Sequence, residues 1–187
     1  MKQSDVIAEG LRRYAATLDV IGTGKLTQEQ VDQAAKEYGS RIGSYPAFDD
    51  TVKAIQRLGK HYKLFPLTNV DNESYAQTLA GPLKGCEFTA SYTAENIGSY
   101  KPSLNNFHYL FDHIKRDHEV ERDELVHVAQ SLFHDHGPAG QLDLTSVWVD
   151  RKGFMGGNPE DAQDKFAFQL RVESLAELAE IVDRSFG

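Results

Sequence analysis

The stretch Tyr62-Lys63-Leu64-Phe65-Pro66-Leu67-Thr68-Asn69-Val70-Asp71 is a short, mostly apolar run that closes on a hydroxyl, an amide and a carboxylate. Such a run reads as a buried strand handing over to a helix N-terminus. Upstream, Val52, Ile55 and Leu58 recur at helical spacing behind Asp49 and Asp50, either of which can cap a helix. Downstream the alternation repeats. A helix is predicted near 73–79, a strand near 87–92, and a helix from Ser103 that carries Phe107, Leu110, Phe111 and Ile114. Further strands follow at 125–130, 146–150 and 167–172, and Ser174 with Glu177 forms a capping box before a last helix. Strands alternating with helices imply right-handed crossovers and a mainly parallel sheet covered on both faces, an α/β fold.

The first 46 residues differ, because they hold helical periodicity and no strand. Ile7, Leu11, Tyr14, Ala15 and Leu18 share one helix face, and Thr27 with Gln30 forms a capping box that opens a second helix through Tyr38. The expected organisation is a small helical unit over 1–46 and an α/β core over 47–187.

The chain has 187 residues, 40% of them hydrophobic and 26% charged, enough for one folded, soluble domain and too few for two catalytic ones. Its formal charge of −8 repels phosphate backbones and anionic lipid, which speaks against nucleic-acid and membrane partners. The lone Cys86 cannot form an intrachain disulfide, and neither a secretion signal nor a membrane span is visible, so a cytoplasmic setting is expected. The glycines at 153–159 suggest a flexible loop, without the Lys-Ser/Thr of a phosphate loop.

In open parallel sheets ligands bind beyond the carboxyl ends of the strands, which selects three places. Thr68, Asn69 and Asp71 follow the first strand, where they either meet an anion or simply cap the next helix. Lys101 is held on a loop by Pro102, before the cap residue Ser103. The third segment, Gln130-Ser131-Leu132-Phe133-His134-Asp135-His136, closes an apolar strand with polar residues. Its two histidines flank Asp135 on opposite sides of an extended chain, so joint metal ligation is not expected. Phe133 and Trp148 are assigned to the core.

With these segments in their order, the chain resembles the haloacid dehalogenase (HAD) superfamily, in its 2-haloacid dehalogenase-like branch. The resemblance rests on Leu67-Thr68-Asn69-Val70-Asp71, on Gly98-Ser99-Tyr100-Lys101-Pro102, and on Val126-His127-Val128-Ala129-Gln130-Ser131 with Asp135. Residues 42–51, Ile-Gly-Ser-Tyr-Pro-Ala-Phe-Asp-Asp-Thr, look like that branch's passage from a helical cap back to the core. The resemblance implies a Rossmann-like three-layer core, Thr68 as a hydroxyl that binds substrate, Lys101 as the cation that stabilises charge, and Asp135 as the distal carboxylate with Ser131 nearby. Gln130 stands where the family's phosphatases carry a metal-binding Asp, so no metal or other cofactor is expected.

Family members open with an apolar strand ending in an aspartate nucleophile, and no segment before Asp49 reads that way. The core is therefore expected to lack its usual first strand, with the sheet closing on itself or a homodimer covering the open edge. The expected function is a non-canonical enzyme acting on a small organic molecule by metal-independent acid/base chemistry: epoxide opening, cyclisation, isomerisation or dehydration. Asp135 or His134 would carry the proton, and Lys101 with Thr68 would hold the developing anion. Asp135→Asn would then abolish turnover with little change in melting temperature. The alternatives are a catalytically inactive scaffold and a shortened form of a 2-haloacid dehalogenase-type hydrolase.

Overall fold

A computed structural model describes residues 2–151 and 166–187, and the glycine-rich stretch at 153–159 lies outside them. Two helices come first, α1 (Gln3–Thr17) and α2 (Gln28–Ser40), packed against each other. The capping box at the start of α2 is present: the Thr27 hydroxyl accepts from the Gln30 amide at 3.2 Å, and the Gln30 side chain accepts from the Thr27 amide at 2.8 Å. Arg12 ties the pair together through Asp32 at 2.7 Å. The helices approach closely at Gly39, where an added Cβ would stand 2.4 Å from the Ser4 carbonyl oxygen.

The remaining elements alternate as the periodicity predicts. They are α3 (Thr51–Leu58), β1 (Leu67–Thr68), α4 (Asn72–Ala80), β2 (Tyr92–Thr93), α5 (Ala94–Ile97), α6 (Leu104–His118) and β3 (His127–Ala129), then α7 (Gly137–Gln141), β4 (Ser146–Val149), β5 (Leu170–Val172) and α8 (Leu175–Phe186). Each described strand pairing is parallel. The strands are shorter than their apolar runs. Within 62–70 only Leu67 and Thr68 enter the ladder, because Pro66 offers its carbonyl to the Tyr92 amide at 2.8 Å but has no hydrogen to return.

The sheet is in two pieces, β1–β2 and β3–β4–β5. Among the described residues no backbone hydrogen bond joins β1 to β3, so the expected closure of the sheet is not seen there. β4 is buried along its whole length. Val147 and Val149 pack with Val172 against Ala54 and Leu58 of α3 and Leu178 and Ala179 of α8, while Trp148 faces Leu132, Phe166 and Phe168. Helix α6 spans the two pieces from one side, with Phe107 in a cluster that takes in both Leu67 and Leu125.

Asp50 precedes α3 but does not cap it through its side chain. Its carboxylate instead accepts from Arg151 at 2.9 Å and from the Ala176 amide at 3.1 Å, which fastens the start of α3 to α8. Burial pushes this carboxyl up, and the bonds from Arg151 and Ala176 more than reverse that. At α8 the box is displaced by one residue: Ser174 accepts from the Glu177 amide, but the Glu177 carboxylate takes the Glu173 amide.

Two alanine substitutions probe the paired helices in opposite senses. Gly39→Ala forces α1 and α2 apart and lowers stability by about 1–3 kcal/mol in urea unfolding. Gly10→Ala, where nothing lies within 4 Å of the new methyl group, raises it by about 1 kcal/mol through helix propensity. Equal effects at the two sites would disprove the close approach.

Candidate active site at the strand ends

The loop after α5 turns at Gly98, whose φ of 74° is the left-handed conformation a glycine adopts without strain. It delivers Lys101 to the carboxyl end of β1. There Asn69 clamps the lysine backbone from both sides, its Oδ1 accepting from the Lys101 amide at 2.7 Å and its Nδ2 donating to the Lys101 carbonyl at 3.1 Å. The main chain of Lys101 is thereby fixed independently of its charge.

The ammonium group of Lys101 donates to the Leu67 carbonyl at 2.8 Å and to Asp135 Oδ1 at 2.6 Å. His127 Nε2 donates to the same carboxylate oxygen at 3.2 Å. All three side chains are nearly buried, 11% exposed for Lys101, 8% for Asp135 and 12% for His127. Burial by itself pushes the Asp135 carboxyl up, but the His127 hydrogen bond and the Lys101 charge outweigh it and bring it down to about 2. Asp135 is therefore an ion at neutral pH and has no proton to donate. Of the two roles expected for Asp135, proton donor or acceptor, this removes that of donor.

The other sequence-derived residues divide into neighbours of this centre and structural caps. Thr68 adjoins Leu67, and its hydroxyl accepts from the Val70 amide at 3.4 Å. Asp71 is the N-cap of α4, with one carboxylate oxygen on the Ser74 amide at 2.9 Å and the other on the Ser74 hydroxyl at 3.0 Å, which commits it to the helix rather than to a ligand. Gln130 accepts the Trp148 indole proton on its backbone carbonyl at 2.9 Å. Ser131 caps the π-helical turn Leu132–His136, its hydroxyl accepting from the His134 amide at 3.1 Å and lying 3.0 Å from His134 Nδ1.

His134 is exposed and bonds Ser131 rather than Lys101 or Asp135. Phe133 is 64% exposed, against the expectation of a core residue, whereas Trp148 is buried as expected. His136 is fully buried, with Nε2 donating to the Ala129 carbonyl at 3.0 Å and Nδ1 3.1 Å from the Ser146 hydroxyl. Burial lowers its pKa and keeps the ring neutral. Of the expected residues, then, the fold gathers Lys101, Asn69 and Asp135 and adds His127, which strand periodicity alone does not single out.

A cleft of about 570 Å³ opens beside this centre, lined by Pro102, Phe133, His136, Pro138 and Phe166. A larger one of about 1160 Å³ lies between the α1–α2 pair and α4, where Lys2, Arg12, Asp32 and Glu73 make its walls polar; it is remote from the lysine chemistry. Among the described residues no three His, Cys, Asp or Glu side chains are grouped to hold a metal ion. Of the buried carboxylates near the strand ends, Asp135 is matched to Lys101, Asp71 to Ser74 and Asp150 to Arg171. No helix of the described residues is long and apolar enough to cross a membrane.

No family model matches the chain, and no curated protein matches it in sequence. Solved structures do match. A defluorinating L-2-haloacid dehalogenase superposes with a TM-score of 0.72 at 14% identity, over 98% of this chain and 70% of that one. The L-2-haloacid dehalogenase of Xanthobacter autotrophicus gives 0.67 at 16% identity, over 87% and 71%. The HAD-hydrolase YfnB of Bacillus subtilis, bound to magnesium, gives 0.65 at 19% identity, over 97% and 81%. The fold is thus that of the HAD superfamily.

The buried pair has a pH signature. Because the folded carboxyl of Asp135 titrates near 2 and the free group near 3.8, the stability it contributes is complete above about pH 4 and is lost as the pH falls towards 2. The loss is on the order of 2 kcal/mol. Asp135→Asn removes this acid-dependent component and also strands the Lys101 ammonium, so the melting temperature falls, with a cost of about 3–5 kcal/mol. An unchanged melting temperature would show that the pair is not formed in solution.

Proposed function

We propose that the chain is a HAD-like enzyme that turns over a small organic molecule without a metal ion, with Lys101 as the group that stabilises negative charge. The observation that carries this reading is the fixation of the Lys101 ammonium: two of its three protons are held by Leu67 and Asp135, and its backbone is clamped by Asn69. The third proton is available to an oxyanion, and a donor fixed before reaction costs little reorganisation as charge develops. Thr68 would supply a hydroxyl beside it, and the apolar walls of the adjoining cleft suit a small carbon skeleton.

The ionised Asp135 acts as the anchor of Lys101. Proton transfer falls to His134, an imidazole already joined to the Ser131 hydroxyl at 3.0 Å and open to solvent. Where epoxide opening, cyclisation, isomerisation or dehydration passes through an oxyanion, Lys101 would stabilise it and His134 would give or take a proton. Residues 1–46 would form a reduced cap over the core at 47–187, and the setting would be cytoplasmic.

A second reading, a scaffold that binds and does not catalyse, draws support from Asp71 and Ser131, both of which serve as helix caps. A panel of small epoxides, 2-halo acids and 2-hydroxy acids separates the two. Lys101→Met should lower kcat/KM at least 100-fold, Lys101→Arg should restore part of it, and His134→Gln should lower kcat by about 10²-fold. Chelation of metal should change nothing. Full turnover by Lys101→Met rejects the assignment, and binding of a panel member without turnover establishes the scaffold.

A further inference from the structure

The buried centre at the strand ends is balanced as it stands. Lys101 and Asp135 bring one charge of each sign, and both are nearly out of solvent. An anion that takes the remaining proton of Lys101 carries a second negative charge into this space, and an uncompensated charge in a poorly hydrated site is costly. The cost falls if a group in contact with the centre gains a proton as the anion enters.

The ionisable groups around the centre are not equally suited to that role. Asp135 is a poor acceptor, since its carboxyl titrates at about 2 and protonation would dissolve the ion pair. His136 adjoins Asp135 on the turn, and its ring lies 6.3 Å from that of His127. Both of its nitrogens are taken, by the Ala129 carbonyl and the Ser146 hydroxyl, and burial lowers its pKa. His134 is exposed and bonds Ser131 rather than either member of the pair.

His127 differs from all of these. It is in contact with the pair, its Nε2 lying 3.2 Å from Asp135 Oδ1. An imidazole donates through Nε2 both as the neutral tautomer protonated there and as the cation, so it can become charged without giving up this bond. Among the described residues its Nδ1 has no hydrogen-bond partner and is not sealed from solvent. A second proton therefore has both a place and a route. The other neighbours of the ring are not ionisable: Phe107 of α6 meets it edge-on at 5.3 Å, and Ser146 of β4 stands opposite it in the ladder.

We propose that His127 takes up one proton when a small organic anion binds at Lys101, so that anion and proton enter the site together. This rests on the reading of Lys101 as the group that holds negative charge, and it adds the means by which the centre accepts that charge and stays neutral overall. The ligands it favours are monoanions, carboxylates or oxyanions, because one compensating proton balances one charge.

Sodium glycolate serves as the probe, since its carboxyl is ionised above about pH 6 and adds no proton step of its own. Titration calorimetry in two cationic amine buffers of unequal protonation enthalpy reads the proton count, and neither buffer competes for Lys101. Near neutral pH the parent protein should take up about 0.5–1 proton per glycolate bound, and at higher pH the dissociation constant should rise by up to about tenfold per pH unit. The nitrogen resonance of His127 Nδ1 should move to its protonated position in the complex. His127→Gln keeps an amide donor for Asp135 but cannot be charged. It should bind glycolate with a heat that does not depend on the buffer and a dissociation constant that is flat with pH, whereas Lys101→Met should not bind it. Binding by the parent protein without proton uptake overturns the proposal and leaves the Lys101 reading standing, and so does uptake that persists in His127→Gln. Failure of the parent protein to bind glycolate, or equal binding by Lys101→Met, overturns both.

Discussion

The buried ion pair between Lys101 and Asp135 is the contact on which the arrangement of the core depends. At 2.6 Å, with both partners nearly out of solvent, it joins the carboxyl end of one half of the sheet to the turn that follows the other. Among the described residues no ladder hydrogen bond makes that connection. Desolvating two charges is expensive, and such a pair persists only when the remaining donors and acceptors are met. Here Leu67 takes a second lysine proton and His127 adds a second bond to the carboxylate. The same partners that make the pair tolerable in the interior also hold the lysine where a ligand at the strand ends would find it.

The local parts of this fold are legible in the sequence because they are decided by residues close in the chain. Thr27 with Gln30, Ser103 before α6 and Ser174 before α8 each supply an oxygen for amides two or three residues ahead, and nothing distant is needed. Strand length is a different matter. It depends on what lies alongside, and the run at 62–70 is cut to two residues by a proline and an unfilled edge. Asp50 stands at the N-cap of α3 without capping it through its side chain for a related reason: the arginine and the amide that claim its carboxylate come from 101 and 126 residues away.

The candidate site shows the same division. The spacing of Lys101 after a strand and a turn is a local signal, and so is the polar end of β3. The ionisation of Asp135 is not local, since it follows from His127 eight residues earlier and from a lysine on another loop. A histidine in an apolar strand, two positions before the strand end, was the one clue to His127, and it becomes informative only when a buried carboxylate lies within reach. Asp71 illustrates the reverse case, a carboxylate well positioned in sequence for a ligand and fully occupied by Ser74.

The separate hydrophobic clusters behind the two halves of the sheet have a consequence for how the molecule opens. The β4 half is backed by α3 and α8 on one face and by Trp148 with its aromatic neighbours on the other, whereas the β1–β2 half is backed by Leu110 and Ile114 of α6 and by the partly buried Ile97 of α5. A domain with two cores of unequal depth breathes unevenly, and its shallower core is the first to admit solvent while the deeper one persists as a cooperative unit. Native-state fluctuations are in that case concentrated on the side of the molecule that carries Thr68 and Asn69, so that the strand-end loops proposed for ligand binding belong to its softer half.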